Sequence, residues 1–572
     1  MIALAGTAAA VGWIVHQSRA ISRDLTAVQA SASRFGADLA ARDPAAARRA
    51  LADISSLMRD AQSRAEGRAW GATVDLPVAG RPARTVRGLV DAAGRMARTV
   101  LPDLVEVVEH LGPVSAPSVG GGVDLPAVAA IRPALDDALA NLVGIDAELR
   151  ALPPASGSGR VDQALSSLSK DTATLLAGVS RADTAARLLP PMLGADGVRR
   201  YFLAIQTNAE ARGTAGLVGA YAIVSADHGR LRFDRFGSDD DIPSAAAAVV
   251  DLGPGFDARY GADGAARSLA DSNLSPHFPY AAAVWTGLWQ RTTGQRLDGA
   301  LATDPIGLGS VLAATGPVTL PDGERVTAAD VARVTEQDAY ARFPDPKARK
   351  AFLVEMARAV GNALQSRQVA PVAMLRALTT MADAGRLRLW STHPSEQSLL
   401  AGTELGGALP GKSGPFAALV VNNAAGTKLD YYLYRSVDYR LGECRGGRRP
   451  STVRIVLENT APTKGLPTYV TRRSDAGSAG RLPGSNRLWV SLYAGLGARL
   501  ASATLDGAPM RVSPGLELGH PVFSTFLEIA PGQRRVLELA LDEPAVDAAP
   551  AVPVQPLVRP QVTDVSSANC DG

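Results

Sequence analysis

Three observations predict a multidomain α+β chain. Residues 17–197 are rich in Ala and Arg, with apolar positions recurring every three, four or seven residues. Residues 198–405 alternate short apolar runs with helical periods. Residues 413–545 hold seven short strand-like runs separated by turn dipeptides. These patterns mark, in turn, a helical bundle, an α/β layer and a β-sandwich. A chain of 572 residues is also too long for one core.

The first run, Met1–Val15, is apolar and uncharged. It is shorter than the ~20 residues of a full membrane span. Three readings stay open: a signal anchor beginning upstream of Met1, a cleaved signal peptide, or a buried helix. The anchor over 1–16 is preferred, because the segment after it reads as a stalk. In 17–197, Leu25, Val28, Phe35, Leu39, Leu51, Ile54 and Leu57 give an amphipathic pattern. Asp43-Pro44 places an N-cap and a first-turn proline. Further helices are expected over about 83–111, 125–152 and 162–189, with 153–159, PPASGSG, as a hinge. This segment reads as a membrane-proximal helical spacer.

The densest information lies in Arg199–Ile242. Tyr201–Ile205 and Gly216–Ser225 read as strands. Gln206–Ala215 between them reads as a polar loop carrying Asn208, Glu210 and Arg212. Asp227-His228-Gly229 is turn chemistry. Leu231 and Phe233 alternate with charges, as in a half-buried strand, and Ser238-Asp239-Asp240-Asp241 closes the hairpin. Ala245–Leu252 is an apolar patch of either type. Then come a polar loop at Asp271-Ser272-Asn273, a helix over 280–290 with Trp285 and Trp289 in its core face, and a strand over 297–303. Helices come next over 306–313, 327–340 and 349–366.

The sandwich strands are expected at 417–422, 431–439, 452–457, 488–493, 499–505, 523–529 and 536–541. Asp506-Gly507 and Pro531-Gly532 are their turn signals. Residues 546–572 form an extended Pro- and Val-rich tail.

Composition narrows the function. The net charge of +3 and the lack of basic runs interleaved with aromatics give no nucleic-acid footprint. Two cysteines, Cys444 and Cys570, are too few for a cysteine-based zinc site. In an exported chain they would pair and tie the tail to the sandwich; two free thiols are the alternative. The stretch Gly406–Ser413 fits the P-loop spacing, but Gly414-Pro415 would break the helix a P-loop needs at its Lys. Asp239 and Asp240 could hold Mg²⁺ through one or two carboxylates and phosphate oxygens; a solvated turn is the plainer reading. Arg342, Lys347, Arg349 and Lys350 crowd a helix N-terminus, where cations are unfavourable and an anion would compensate them.

This order of elements over roughly 198–366 resembles the LytR-CpsA-Psr family of cell-envelope phosphotransferases. The residues that carry the likeness are Tyr201–Ile205, Arg212, Ser238-Asp239, Asp271-Ser272-Asn273, Asp298-Gly299, Asp304, Gly316-Pro317-Val318, Tyr340-Ala341-Arg342 and Arg349-Lys350. The chain as a whole is similar to an uncharacterised family of actinobacterial membrane-anchored proteins. The first resemblance implies a single-pass protein of the cell membrane, mostly extracytoplasmic. It would grip a lipid-linked (polyprenyl-pyrophosphate) or wall-linked glycan, with Mg²⁺ as cofactor. It implies Arg212, Asp239 and Arg349 as catalytic residues. Arg342, Lys350, Asn208 and Asn273 would bind phosphate, and Asp239 and Asp240 metal. The family's Arg-x-Asp-Thr reads Arg212-Gly213-Thr214-Ala215 here, and its Arg before the second-loop Asp is Ser238. Two rivals remain: a non-catalytic envelope scaffold or glycan-binding protein working through the sandwich, and a hydrolase using Asp239 and Glu210.

Overall fold

The computed structural model describes residues 30–65, 80–111, 122–153, 159–367, 369–475, 482–568 and 570. The 1–16 segment lies outside them. Among the described residues no helix is long and apolar enough to cross a membrane. The chain divides after Gly197 into two compact units.

The first unit is helical: α1 (Pro44–Ala65), α2 (Gly80–Arg95), α3 (Leu101–Leu111), α4 (Leu125–Ala130), α5 (Arg132–Ala151) and α6 (Gly159–Met192). Asp43 caps α1 by accepting from Ala46 N at 2.9 Å, and Pro44 starts the helix. Two expected helices are interrupted, each next to a proline. A π-turn at Met96–Val100 joins α2 to α3 just before Pro102, whose ring and missing N–H disturb the regular ladder. Pro133 lies at the start of α5, where α4 ends. Leu135, Leu142, Ile145 and Leu149 of α5 are buried against Leu89, Val100 and Val179.

The second unit holds the α/β layer and the sandwich together. Its first sheet contains β1 (Arg199–Arg212), β2 (Ala215–Asp227), β3 (Arg230–Ser238), β4 (Gly299–Thr303) and, beyond a small β5–β6 hairpin (Val318–Thr319, Arg325–Val326), β7 (Arg388–Ser391). The strand order is β3-β2-β1-β4-β7. Only β1 and β4 run parallel. Helices α7 (Pro254–Tyr260), α8 (Phe278–Thr293), α9 (Pro305–Thr315), α10 (Pro346–Ser366), α11 (Pro371–Asp383) and α12 (Pro394–Ala401) complete the layer. Trp285 and Trp289 are core residues, packed with Phe202 and Tyr221.

The polar loop expected at Gln206–Ala215 is not a loop. β1 continues to Arg212, and Gly213-Thr214 alone turn the chain into β2. The sequence conceals this because β1 bulges between Thr207 and Ala211. Two buried carboxylates supply the acceptors the ladder lacks there. Glu336 accepts from Asn208 N (3.1 Å) and Ala209 N (2.8 Å), and Asp430 accepts from Ala211 N (2.8 Å). Gly213 is required at the turn, since a Cβ would stand 2.3 Å from Leu274 O. The patch 245–252 forms neither a helix nor a strand.

The sandwich packs two sheets, β13-β12-β16-β10-β9-β17 and β14-β15-β11-β8, over one apolar core that includes Val421, Val437, Ile455, Val490, Leu527 and Leu539. Its strands are β8 (Ala417–Asn423), β9 (Leu433–Leu441), β10 (Arg448–Asn459), β11 (Asn486–Ala494), β12 (Arg499–Leu505), β13 (Ala508–Pro509), β14 (Ser513–Glu517), β15 (His520–Ile529), β16 (Arg534–Pro544) and β17 (Gln561–Ser567). β13, β14 and β17 lie outside the runs expected from sequence.

The tail is built into the molecule. The Gln555 side chain bridges Val421 N (2.9 Å), Val421 O (2.8 Å) and Arg212 O (2.6 Å). Leu557 is buried, and β17 pairs in parallel with β9. Cys444 and Cys570 form a disulfide, with Cα atoms 4.9 Å apart.

Candidate functional site

Three segments distant in sequence meet at one cavity. A π-turn at Val334–Asp338, an irregularity often found at functional sites, runs into the helical turn Ala339–Arg342 and presents Glu336, Gln337 and Tyr340. Lys428 and Tyr432 come from the connection between β8 and β9. Leu466, Pro467 and Val470 come from the connection between β10 and β11. The cavity measures about 160 Å³.

Tyr469, on the turn Thr468–Thr471, stands beside it. Its ring stacks with that of Tyr340, with centroids 6.0 Å apart. Three cations surround the ring: Arg349 at 3.8 Å, Lys428 at 5.4 Å and Arg472 at 5.7 Å from its centroid. Arg349 also lies 5.1 Å from the Tyr340 ring, so two aromatic faces fix its guanidinium.

The partners of these cations differ. Lys428 pairs with Glu210, which also meets Arg212 at 3.4 Å. Burial works to raise the Glu210 carboxyl, but Lys428 and Arg212 together outweigh it and hold the group below the usual range. Arg349 is 3% exposed and donates to Phe343 O at 3.0 Å. Among the described residues no carboxylate lies within ion-pair distance of it. Two other buried arginines make more hydrogen bonds, although Arg435 Nε has no partner among the described residues. Arg435 makes three contacts to carbonyls of Gln555 and Arg559, and Arg449 reaches Gly442 O, Ala568 O and Ser567 Oγ.

Glu336 is 2% exposed, and burial pushes its carboxyl up to about 8 although two backbone amides pull the other way. The nearby Asp304 carboxylate, paired with Arg386, adds to the rise. At neutral pH Glu336 therefore enters the cavity wall as a neutral hydrogen-bonding group.

The residues singled out from sequence fall in several places. Arg212 is spent on Ala270 O (3.0 Å), Ala211 O, Glu210 and Asp271 (3.5 Å) of the layer and on Asn423 O of the sandwich. It reaches the Tyr469 cluster only through Glu210 and Lys428. Arg342 pairs with Glu324 (2.5 Å) and Asp322 (3.4 Å). Lys350 pairs with Asp239 (2.9 Å) and Asp240 (2.6 Å), so the acidic loop and the basic helix start do meet, as each other's counter-ions. Burial raises the Asp239 carboxyl against the pull of Lys350. Among the described residues no group of three or more His, Cys, Asp or Glu side chains is placed to hold a metal ion. Asn208 donates to Pro556 O (2.9 Å), and Asn273 to Thr214 Oγ1 (2.9 Å) and Gly216 O (2.8 Å). Both hold backbone in place. Of the set, Arg349 alone stands in the cluster without a counter-ion.

Sequence reasoning missed Glu336, Lys428, Tyr469 and Arg472. The run Lys428-Leu429-Asp430-Tyr431-Tyr432 was the available signal: a charged, aromatic stretch inside an apolar sandwich.

Residues 196–340 match the model of one family, described as a protein of unknown function (DUF4012). This match does not show the resemblance to the LytR-CpsA-Psr family. No curated protein and no solved structure matches the chain. The matched stretch includes Arg212, Asp239, Glu336 and Tyr340. It stops short of Arg349, Lys428 and Tyr469, so the family model covers only one side of the cavity.

Proposed function

We propose that the protein binds a phosphate-bearing ligand of the cell envelope, a polyprenyl-pyrophosphate-linked or wall-linked glycan, at the Tyr469 cation cluster. The observation that carries this reading is Arg349, a buried guanidinium with no carboxylate partner. Buried charges are normally paired, because desolvation is costly, and an incoming anion would supply the partner. Lys428 and Arg472 add positive charge beside it, while Glu210 is already shared between Lys428 and Arg212. The Cys444–Cys570 disulfide suits an oxidising, extracytoplasmic setting. Transfer chemistry is not part of the proposal, since Asp239, Asp240, Lys350 and Arg342 neutralise one another's charges or those of near neighbours. Mg²⁺ would enter bound to the ligand's phosphates and not through a protein cage.

Calorimetric titration with inorganic pyrophosphate and with a polyprenyl pyrophosphate in detergent tests this. A charged hydrogen bond contributes about 1.5–3 kcal/mol, so Arg349→Gln should weaken binding roughly 10- to 100-fold. Arg472→Ala, at an exposed position, should weaken it less and flatten its salt dependence. No uptake by the native chain, or equal uptake by Arg349→Gln, removes the reading.

One observation favours the glycan-binding rival. Phe526 is 55% exposed and stacks on Trp489 at 6.1 Å, with Arg487 4.9 Å from its ring. Such a platform suits the apolar face of a sugar ring. Phe526→Ala should then abolish retention on immobilised wall polysaccharide and leave pyrophosphate binding intact. Unchanged retention overturns this second reading.

A further inference from the structure

The cavity beside the Tyr469 cluster has two unlike walls. Leu466 and Pro467 make one wall apolar. The π-turn makes the other polar, with Glu336, Gln337 and Asp338 in succession along it. Gln337 is held between two tyrosines: its Oε1 accepts from Tyr431 OH at 3.0 Å, and its Nε2 donates to Tyr432 OH at 3.3 Å. A carboxamide carries two N–H donors and a phenol one O–H. One Gln337 hydrogen and the Tyr432 proton therefore have no acceptor among the described residues. Glu336 uses both oxygens on the Asn208 and Ala209 amides and, neutral at pH 7, still has an acid proton to donate. Asp338 is the acceptor of the set, its charge met by Arg333.

Size and chemistry select the occupant. A cavity of about 150 Å³ holds a single benzene ring, so one of about 160 Å³ admits one six-membered ring and not a chain of them. An isoprene unit there would leave the donors of the polar wall facing carbon, and polar groups buried without partners weaken binding. A pyranose suits both walls: the hydroxyls of its rim give and take hydrogen bonds, and its C–H face packs on Leu466 and Pro467. Position then selects how the ring is attached. Lys428 and Tyr340 line the cavity and also belong to the cluster, Lys428 Nζ lying 5.4 Å from the Tyr469 centroid and the Tyr340 ring stacking on it at 6.0 Å. Lys428 uses two of its three hydrogens on Glu210 and Gly426 O, which leaves one for a ligand. A phosphate on the cluster and a ring in the cavity share Lys428 as a neighbour, so the two are joined directly and not through a long spacer.

We infer that the cavity is a subsite for one pyranose ring esterified directly to the phosphate that the Tyr469 cluster holds, so that the ligand class is a glycosyl phosphate or diphosphate and any lipid stays outside the cavity. This rests on the anion reading above and adds to it which part of the ligand the cavity reads, with Gln337 and Tyr432 as the residues that set the preference for a sugar.

Calorimetry on the full chain compares phosphate monoesters of equal charge: methyl phosphate, dimethylallyl phosphate, and the 1-phosphates of glucose, galactose, mannose and N-acetylglucosamine in turn. At least one sugar 1-phosphate should bind about tenfold or more tighter than methyl phosphate, the effect of one or two net hydrogen bonds. Dimethylallyl phosphate should show no such gain. Gln337→Leu should remove the preference and leave methyl phosphate binding unchanged. Leu466→Trp, which fills the cavity from the opposite wall, should do the same. Tyr432→Phe keeps the ring, drops the hydroxyl and should reduce the preference roughly three- to tenfold. Retained methyl phosphate binding shows that each variant is folded, and variants on both walls keep the test decisive if one is not. Equal affinities for the sugar and methyl esters, or tighter binding of the dimethylallyl ester, overturn the subsite, while continued pyrophosphate binding leaves the anion site standing. A preference that survives both Gln337→Leu and Leu466→Trp also overturns it, because the ring then sits elsewhere. No uptake of any phosphate, pyrophosphate included, removes the anion reading and the subsite together.

Discussion

Replacing Glu517 with Ala is expected to cost about 3–5 kcal/mol. Glu517 ends β14 and is 3% exposed. Its Oε2 accepts from Tyr260 OH at 2.7 Å and Tyr493 OH at 2.6 Å, and its Oε1 accepts from Ser275 Oγ. Arg259 Nε stands 3.7 Å away. Tyr260, Arg259 and Ser275 belong to the α/β layer; Tyr493 and Glu517 belong to the sandwich. One carboxylate therefore joins the two layers, and removing it leaves a mostly buried guanidinium without a counter-ion, Ser275 Oγ without this acceptor, and the Tyr260 and Tyr493 hydroxyls, 2.7 Å apart, with only each other to share one bond. Arg259 would keep only Ser491 and Ser524 as polar partners on the sandwich, each at 2.9 Å. Glu517→Gln retains one acceptor oxygen and should cost about half as much. Trp489 stands 5.8 Å from Tyr260 between ring centroids, so tryptophan emission, to which it contributes with five others, follows urea unfolding. A lower midpoint with an unchanged slope means the layers still unfold together; a shallower slope means they separate first. A loss below 1 kcal/mol would show that the network is not what holds the layers.

The same interface explains what could and could not be read from the sequence. Local chemistry was legible. Asp506-Gly507 and His228-Gly229 are two-residue turns with positive φ at both positions, and the dipeptides themselves announce that geometry. The Trp285/Trp289 spacing gave a core helix face. Non-local satisfaction was not legible. Asn208, Glu210 and Arg212 look like loop residues because nothing nearby explains their burial; their neighbours Ala209 and Ala211 owe their strand geometry to Glu336 and Asp430, 127 and 219 positions away. β14 and β15 turn through Leu518-Gly519, with Leu518 at φ 49°, a conformation that leucine gives no reason to expect. β17 pairs in parallel with a strand more than a hundred residues earlier, and its own sequence reads as tail. The candidate site was half visible for the same reason. Arg349 could be named from its crowded helix start, but the second ring of its cradle, Tyr469, and Lys428 arrive from the sandwich.

Stability should fall with rising pH between about 6.5 and 8, and Glu336 should be the cause. Its folded carboxyl titrates at about 8 against an ordinary value of 4.5. A group raised in this way contributes its full stability below 4.5, and the contribution is lost as pH rises through 8. The slope is about 1.4 kcal/mol per pH unit. His277 opposes this at lower pH. Burial depresses it from 6.5 to about 4, so its contribution is present above 6.5 and lost as pH falls toward 4. The two therefore offset one another over much of the acid range, and Glu336 acts unopposed by His277 above 6.5. Expected is a loss of about 2 kcal/mol between pH 6.5 and 8 in urea denaturation of the native chain. Glu336→Gln separates the components. Its carbonyl can accept only one of the Asn208 and Ala209 amides, which lowers stability by about 1–3 kcal/mol at every pH. It carries no titration, so its profile should be flat across the window. Parallel slopes in the two proteins would place the titrating group elsewhere. The same ionisation bears on the cavity, because a carboxylate appearing beside Lys428 at high pH repels an anion. Pyrophosphate uptake by the native chain should therefore weaken above pH 8, while uptake by Glu336→Gln should not.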